Sequence, residues 1–248
     1  MGAAGVRQGG AAGVPVEAVT FDFWNTLIAE GAKGDHRESR WARALAAAGH
    51  EVDQAEIERA MTDLWSWFNE EWAGNRVAAP DAIVAQAITL LEVEPTSELV
   101  DEMVATLHDG WDPAVMQTAE GIGEVLEALK AGGLRVGIIC DVGLTPSATL
   151  RRYLEHHGLL QFFDGWSFSD EVGVYKPDPA IYVHARESLG VEGPMAHVGD
   201  LRRTDVAGAL AMGWTAVRYT GFYDDTSDRP EADHVIASHA ELPELLLS

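Results

Sequence analysis

The chain has 248 residues, 47% of them hydrophobic, and sets 40 acidic against 17 basic side chains for a formal charge of −23. That length holds one large domain, or a core of about 150 residues with a smaller insert. The charge repels nucleic acid phosphates and anionic lipid headgroups, which excludes nucleic-acid and membrane-surface roles. Cys140 is the only cysteine, so no intrachain disulfide forms and a reducing cytoplasm is the natural compartment. No stretch reaches the roughly 18 apolar residues of a membrane span.

Residues 1–16 are rich in Gly and Ala around Arg7. Lacking the continuous apolar centre of a signal peptide, they read as a disordered leader or an expression remnant. Val16 to Phe23 predicts the first buried strand, and Glu30 to Asp35 a linker. From there to about Asp109 the pattern is helical: Arg37–Ala48 ended by Gly49, Glu56–Trp72, Asp81–Glu92 and Ser97–His108, with Pro80 and Pro95 marking the last two starts. Met61, Leu64, Trp65, Phe68 and Trp72 recur at the spacing of one helix face, so four such helices make a small bundle.

Gly110-Trp111-Asp112-Pro113 leads back to an alternating half. It predicts helix Gly121–Ala131, strand Leu134–Cys140, helix Ser147–His157, a strand near Trp166–Phe168 and helix Asp178–Leu189. Strand Met195–Val198, helix Thr204–Met212, strands Thr215–Arg218 and Asp233–Ile236, and a short final helix follow. Alternation of this kind implies a parallel sheet with helices on both faces.

Three segments carry chemistry. Val19-Thr20-Phe21-Asp22 ends a strand-forming run in an acid, and a carboxylate at a strand's C-terminal edge is well placed as a nucleophile. Lys176, one of three lysines, precedes Pro177 at a helix start. Asp200 and Asp205 lie five residues apart after the apolar run Ala196-His197-Val198-Gly199. Read singly, each has a plainer role: a turn acid, a solvated cation, a capping Asp with a surface Asp.

In their order, Asp22 with Thr26, the strand end Ile138-Ile139-Cys140-Asp141, Lys176 and the Asp200/Asp205 pair resemble the four motifs of the haloacid dehalogenase (HAD) superfamily, over residues 17–247. The resemblance implies an α/β fold: a Rossmann-like parallel-sheet core over 17–29 and 113–248, and an inserted helical-bundle cap of the C1 type over 30–112, closing over Asp22. Most members are Mg²⁺-dependent phosphatases, and a minority are dehalogenases, phosphonatases or mutases. The family pattern makes Asp22 the nucleophile, has Thr26 hold a phosphate oxygen or orient Asp22, and has Lys176 neutralise the transferring group. It gives Mg²⁺ the ligands Asp22, Asp200 and the Trp24 carbonyl, with Asp205 direct or through water. Cys140 stands where the family usually has Ser or Thr to bind phosphate, and a thiol is a weaker donor.

Trp24 is the largest departure, because phosphatases of the family carry a second Asp there to protonate the leaving oxygen, and an indole N–H cannot. Four explanations compete. The leaving group needs no proton; another acid supplies it, Asp141 first and Glu70 or Glu71 after it; turnover is slow; or catalysis is lost. Haloacid dehalogenases also have a non-acid at that position, but they work without metal and lack the Asp200/Asp205 pair. Phosphonatases use a cap lysine, and Lys33 is the only lysine near the insert.

Trp41, Trp65, Phe68 and Trp72 read as bundle core, while Trp67, off the main stripe, is the aromatic expected to contact a ligand. His197 reads as a strand side chain, and His156 and His157 suit a last helical turn. The expectation is a cytoplasmic Mg²⁺-dependent phosphatase acting on a small phosphorylated metabolite through an aspartyl-phosphate, without nucleic-acid or membrane partners; a homodimer stays open. The alternatives are metal-independent dehalogenation of a 2-haloacid, and a capped metabolite-binding protein without turnover.

Overall fold

The computed structural model of the protein describes residues 15–30, 37–109, 112 and 115–247. Residues 1–14 of the expected leader, 31–35 of the expected linker with Lys33, and Gly110, Trp111 and Pro113 lie outside the described residues. In chain order, β1 (Ala18–Phe21) and β2 (Ile28–Glu30) precede four helices, α1 (Arg37–Ala47), α2 (Gln54–Ala73), α3 (Pro80–Leu90) and α4 (Ser97–Asp109). Then come β3 (Met116–Thr118), α5 (Ile122–Ala131), β4 (Arg135–Cys140), α6 (Ser147–His156), β5 (Gly165–Phe168), α7 (Ser169–Val172) and α8 (Pro179–Leu189). β6 (Met195–Gly199), α9 (Ala207–Ala211), β7 (Thr215–Tyr219), β8 (His234–Ile236) and α10 (Leu242–Leu246) complete the chain.

Six strands form one parallel sheet in the order β5-β4-β1-β6-β7-β8. β1 sits inside it with all of its residues buried, as expected for an Ala-Val-Thr-Phe run covered on both faces. Helices α5, α6 and α10 close one face through Leu126, Leu150 and Leu242, while α8 and α9 close the other through Ile181, Tyr182 and Ala209. Phe21 pairs with Ile138 of β4 and with Val198 of β6. The chain therefore leaves three adjacent strands at one edge, next to Asp22, Asp141 and Asp200, where the strand order reverses and open α/β sheets bind ligands.

The four-helix insert packs α1 on α2 and α4, and α3 on α2 and α4. Its core, with Trp41, Ile57, Leu64 and Met103, also takes in Leu144 and Tyr175 from loops at the sheet's edge. Bundle and sheet thus share apolar surface. None of the described helices is long and apolar enough to cross a membrane.

The structure departs from the predicted elements in informative places. β2 and β3 form an antiparallel ribbon, Ile28 opposite Thr118 and Glu30 opposite Met116, that frames the exit and return of the insert. Three residues are too few to show an alternating pattern. α2 starts two residues before the expected Glu56, because Asp53 caps it and Glu56 returns the bond in a capping box. The expected helix Thr204–Met212 splits into a π-helical turn, Arg202–Val206, followed by the short α9.

Candidate active site

Asp22 follows β1 directly and is tied to β6 by its own N–H, which donates to the Val198 carbonyl at 2.8 Å. A tight turn follows, in which the N–H groups of Leu27 and Ile28 both donate to the Phe23 carbonyl. Asn25, at φ 53°, takes the left-handed position that this turn needs, and Asn tolerates it better than most residues.

Lys176 holds the centre together. Its ammonium donates to Asp22 Oδ1 at 2.6 Å, to Asp205 Oδ1 at 2.6 Å and to the Ile139 carbonyl at 3.1 Å. An ammonium has three donors, so this buried cation is fully satisfied. Its pKa is pushed well above the usual lysine range: burial opposes the charge, but the carboxylates of Asp205, Asp22 and Asp141 outweigh it.

Asp205 is saturated as an acceptor. Oδ1 takes bonds from Lys176 and, at 3.0 Å, from His197 Nε2; Oδ2 takes them from the Leu201 N–H at 3.0 Å and the Thr204 hydroxyl at 3.2 Å. An ionised carboxylate offers about four such sites, and all are used. The π turn makes this reach practicable, since the N–H groups of Asp205 and Val206 both donate to the Leu201 carbonyl and the loop folds back on the carboxylate. Gly199 is required here, because a Cβ at that position would lie 2.2 Å from Asp205 Cγ. Burial pushes the Asp205 carboxyl up, but Lys176 and His197 outweigh it and hold it well below the usual range.

His197 is more than a strand side chain. Its Nδ1 lies 2.9 Å from the Thr20 hydroxyl while Nε2 meets Asp205, and burial lowers its pKa. A neutral ring with the proton on Nε2 donates to Asp205 and accepts from Thr20. Thr20 and His197 are register partners on β1 and β6. Two polar residues facing each other across buried strands were the signal that could have found this pair, once the strand order is known.

Asp22, Asp200 and Asp205 each offer an oxygen within 4.8 Å of the others, and all three are buried. Burial raises Asp22 to about 7, with Asp205 adding to the shift and Lys176 opposing it; burial and the charges of Asp205 and Asp22 raise Asp200 to about 8. At these values Asp200 and part of Asp22 hold protons at neutral pH; fully ionised, three carboxylates beside one ammonium carry an excess of negative charge. Hard oxygen donors around such an excess suit a divalent cation of the Mg²⁺ or Ca²⁺ type, so the residues present fit the ion that the motifs imply.

These groups stand at the inner end of a cavity of about 650 Å³ under the helical bundle. Asp141 also lines it, accepting from Trp72 Nε1 at 2.7 Å through Oδ2 and from the Lys176 N–H at 2.8 Å through Oδ1. Burial raises its pKa, against Lys176 and the Trp72 bond. The Arg203 guanidinium lies over the Trp72 ring, 3.7 Å from its centroid. That indole therefore links the bundle to two loops of the sheet, a role its place in the helical stripe did not reveal.

The other sequence candidates separate. Trp24 lines the cavity, edge-on to Phe23 at 5.0 Å. Thr26 is fully buried off the cavity wall, and its hydroxyl has no partner among the described residues. Cys140, expected at the phosphate, packs in the apolar core instead, and burial with the Asp22 charge pushes its thiol well above the usual range. Trp67, expected to touch a ligand, packs against the bundle core and is not part of the wall; Trp65, Phe68 and Trp72 are. The reversal follows from helix geometry: Trp65, Phe68 and Trp72 share the face of α2 turned toward the sheet.

A doubly wound parallel sheet with a lysine-bridged carboxylate centre at its C-terminal edge defines an α/β enzyme of the hydrolase type. Residues 16–213 match the haloacid dehalogenase-like hydrolases, and the chain belongs to that family. It is 27% identical over 224 residues to glyceraldehyde 3-phosphate phosphatase of Methanopyrus kandleri, spanning 88% of this chain and 90% of that protein. Against (S)-2-haloacid dehalogenase 1 of a Pseudomonas species it is 26% identical over 240 residues, spanning 94% and 97%. The crystal structure of a HAD phosphatase from Thermococcus onnurineus superposes with a TM-score of 0.62 at 24% identity, covering 92% of this chain and 97% of that one, a likeness of fold.

Proposed function

We propose that the protein is a Mg²⁺-dependent phosphatase that hydrolyses a small phosphorylated metabolite through an aspartyl-phosphate on Asp22, with the helices of residues 30–112 acting as a cap. The observation that carries this reading is the Lys176 bridge between Asp22 Oδ1 and Asp205 Oδ1 inside a three-carboxylate centre. A metal-independent dehalogenation has no use for a third buried carboxyl whose ionised form calls for a cation. Asp22 and Asp200, with the Trp24 carbonyl, would hold the ion and Asp205 would reach it through water, its own acceptor sites being occupied. When bound, the ion supplies charge neutralisation on the transferring phosphoryl group.

With Oδ1 fixed by Lys176, Asp22 Oδ2 attacks phosphorus as the bond to the leaving oxygen breaks. Lys176, its three donors held by Asp22, Asp205 and Ile139, acts on the charge gathering on the equatorial oxygens through its field rather than by a hydrogen bond. Asp141 is the cavity acid assigned to protonate the leaving oxygen, and burial raises its pKa above the ordinary carboxyl, against Lys176 and the Trp72 bond. As a carboxylate it then accepts a proton from the water that adds to phosphorus, releasing phosphate and free Asp22. The buried Cys140 thiol accords with a reducing cytoplasm.

The second reading is dehalogenation of a 2-haloacid, favoured by Trp24 beside Asp22, since halide departs without a proton. Phosphate release from an aryl phosphate that disappears with EDTA, and again in Asp22→Asn, is the expected result. Chloride release from a 2-chloroacid that EDTA leaves untouched would transfer the assignment to the dehalogenase.

A further inference from the structure

Beyond the reacting centre, the cavity has a consistent character. On the bundle side its wall carries Met61, Trp65, Phe68 and Trp72 from one face of α2. Trp65, a wall residue, remains 44% exposed and stands edge-on to the buried Phe68 at 5.8 Å, so the protein itself does not fully cover this indole. Glu30 at the end of β2 and Glu38 in α1 line the same space, in addition to the carboxylates of the inner end. Lys176 is the sole basic side chain among the described residues of the wall, and its three donors are already engaged.

A substrate group beyond the phosphoryl therefore meets aromatic faces, the neutral amides of Asn25 and Asn69, and carboxylates. A second anion there would meet no further basic side chain among the described wall residues, Arg203 lying on the Trp72 ring, and would feel the like charges of Glu30 and Glu38, a repulsion that selects against it. A cavity of about 650 Å³ also far exceeds what a phosphate with one or two carbons fills, and lies in the range of ring-sized ligands.

Resting on the phosphatase reading for the chemistry, we propose that the pocket selects phosphomonoesters whose body bears a ring and carries no second anionic group, with Trp65 and Phe68 holding the ring and Glu30 and Glu38 rejecting carboxylated or doubly phosphorylated analogues. Glu30 and Glu38 are specificity-determining residues here, apart from the chemistry.

The test separates binding from turnover. With Mg²⁺ present and ionic strength fixed, calorimetric titration compares 3-phenylpropylphosphonate, which cannot be hydrolysed, with its para-carboxylated counterpart. The uncarboxylated compound is expected to bind about tenfold or more tightly. Glu30→Gln with Glu38→Gln should shrink that gap by about threefold or more, and Trp65→Ala should weaken the phenyl compound about tenfold while leaving methylphosphonate unchanged. Equal or tighter binding of the carboxylated compound, or no binding of either, overturns the assignment. In parallel, 2-phenylethyl phosphate and 4-(2-phosphooxyethyl)benzoate are offered as substrates. If the binding preference holds and neither is hydrolysed, the phosphatase reading fails and the pocket assignment stands; hydrolysis of both without a binding preference gives the reverse.

Discussion

Lys176 is 2% exposed and holds two carboxylates at once, so its removal leaves both without their cation in a medium that stabilises charge poorly. Lys176→Met should therefore cost about 3–5 kcal/mol of stability in metal-free protein, the range for breaking a buried pair by deleting one partner. Part of that loss should return with millimolar Mg²⁺, because a divalent cation at Asp22 and Asp200 answers the same excess charge. Phosphate release should be lost in either condition. Thermal denaturation with and without Mg²⁺ checks this, and a variant as stable as the parent without metal would mean that the bridge is not the centre's counter-ion. At this scale the sequence was legible for Asp22, Lys176, Asp200 and Asp205 because their order along the chain matches a known arrangement. It was not legible for His197 or Thr20, which look like ordinary strand residues until β1 and β6 are known to be neighbours with these two in register.

Among the elements, α2 does most to define the pocket, and its 20 residues present two different aromatic faces. Leu64 is fully buried in the bundle, while Trp72 reaches from the last turn to donate to Asp141 Oδ2. The apolar spacing shows that a face exists, yet spacing alone does not say whether its partner is another helix or an open cavity, so it does not distinguish Trp65 and Trp72, which line the cavity, from bundle core. The Trp72 bond lowers the Asp141 pKa, against the upward push of burial. Trp72→Phe keeps a ring under Arg203 but removes that donor, so Asp141 should titrate higher. A general acid is active only while protonated, and activity falls as pH rises through its pKa. The alkaline limb of kcat/KM for an alkyl phosphate should therefore move to higher pH in Trp72→Phe, whereas an aryl phosphate, which leaves without help, should show no such shift. Coincident displacement for both substrates would exclude Asp141 as the proton donor.

For the whole molecule, the alternation of strands and helices sufficed to derive the parallel sheet, but the way the C-terminal segment closes back on the active-site loop was not visible, since it depends on contacts more than 200 residues apart in sequence. His239 makes that closure: its Nε2 donates to the Thr26 carbonyl at 2.8 Å, 213 residues away, and its ring stacks on Tyr219 at 4.0 Å and meets Phe21 edge-on at 6.0 Å. Nδ1 is buried without a partner among the described residues, so an added proton there would have nothing to bond. Burial accordingly lowers the pKa from the ordinary 6.5 to about 4, against the Thr26 bond. Between those values the unfolded chain holds more protons than the folded one, and stability must fall as pH drops from 6.5 towards 4. Fully developed, the loss amounts to about 3 kcal/mol, at roughly 1.4 kcal/mol per pKa unit. The buried carboxyls of Asp22 and Asp200, raised to about 7 and about 8, take up protons in the folded chain over the same range and oppose this loss. Asp164, where burial is overcome by the Lys130 bond and its neighbours, loses its contribution only below the ordinary 3.8, so the wild-type curve alone does not isolate His239. His239→Gln retains a donor for the Thr26 carbonyl and cannot titrate, so those carboxylate contributions cancel between the two proteins. Denaturant unfolding from pH 7.5 to 4 should show wild type losing stability faster than the variant below pH 6.5, the difference between them shrinking or reversing at the acid end. Parallel curves over that whole range would mean that His239 becomes protonated in the folded chain as readily as in the unfolded one, and that the C-terminal closure does not exclude a charge.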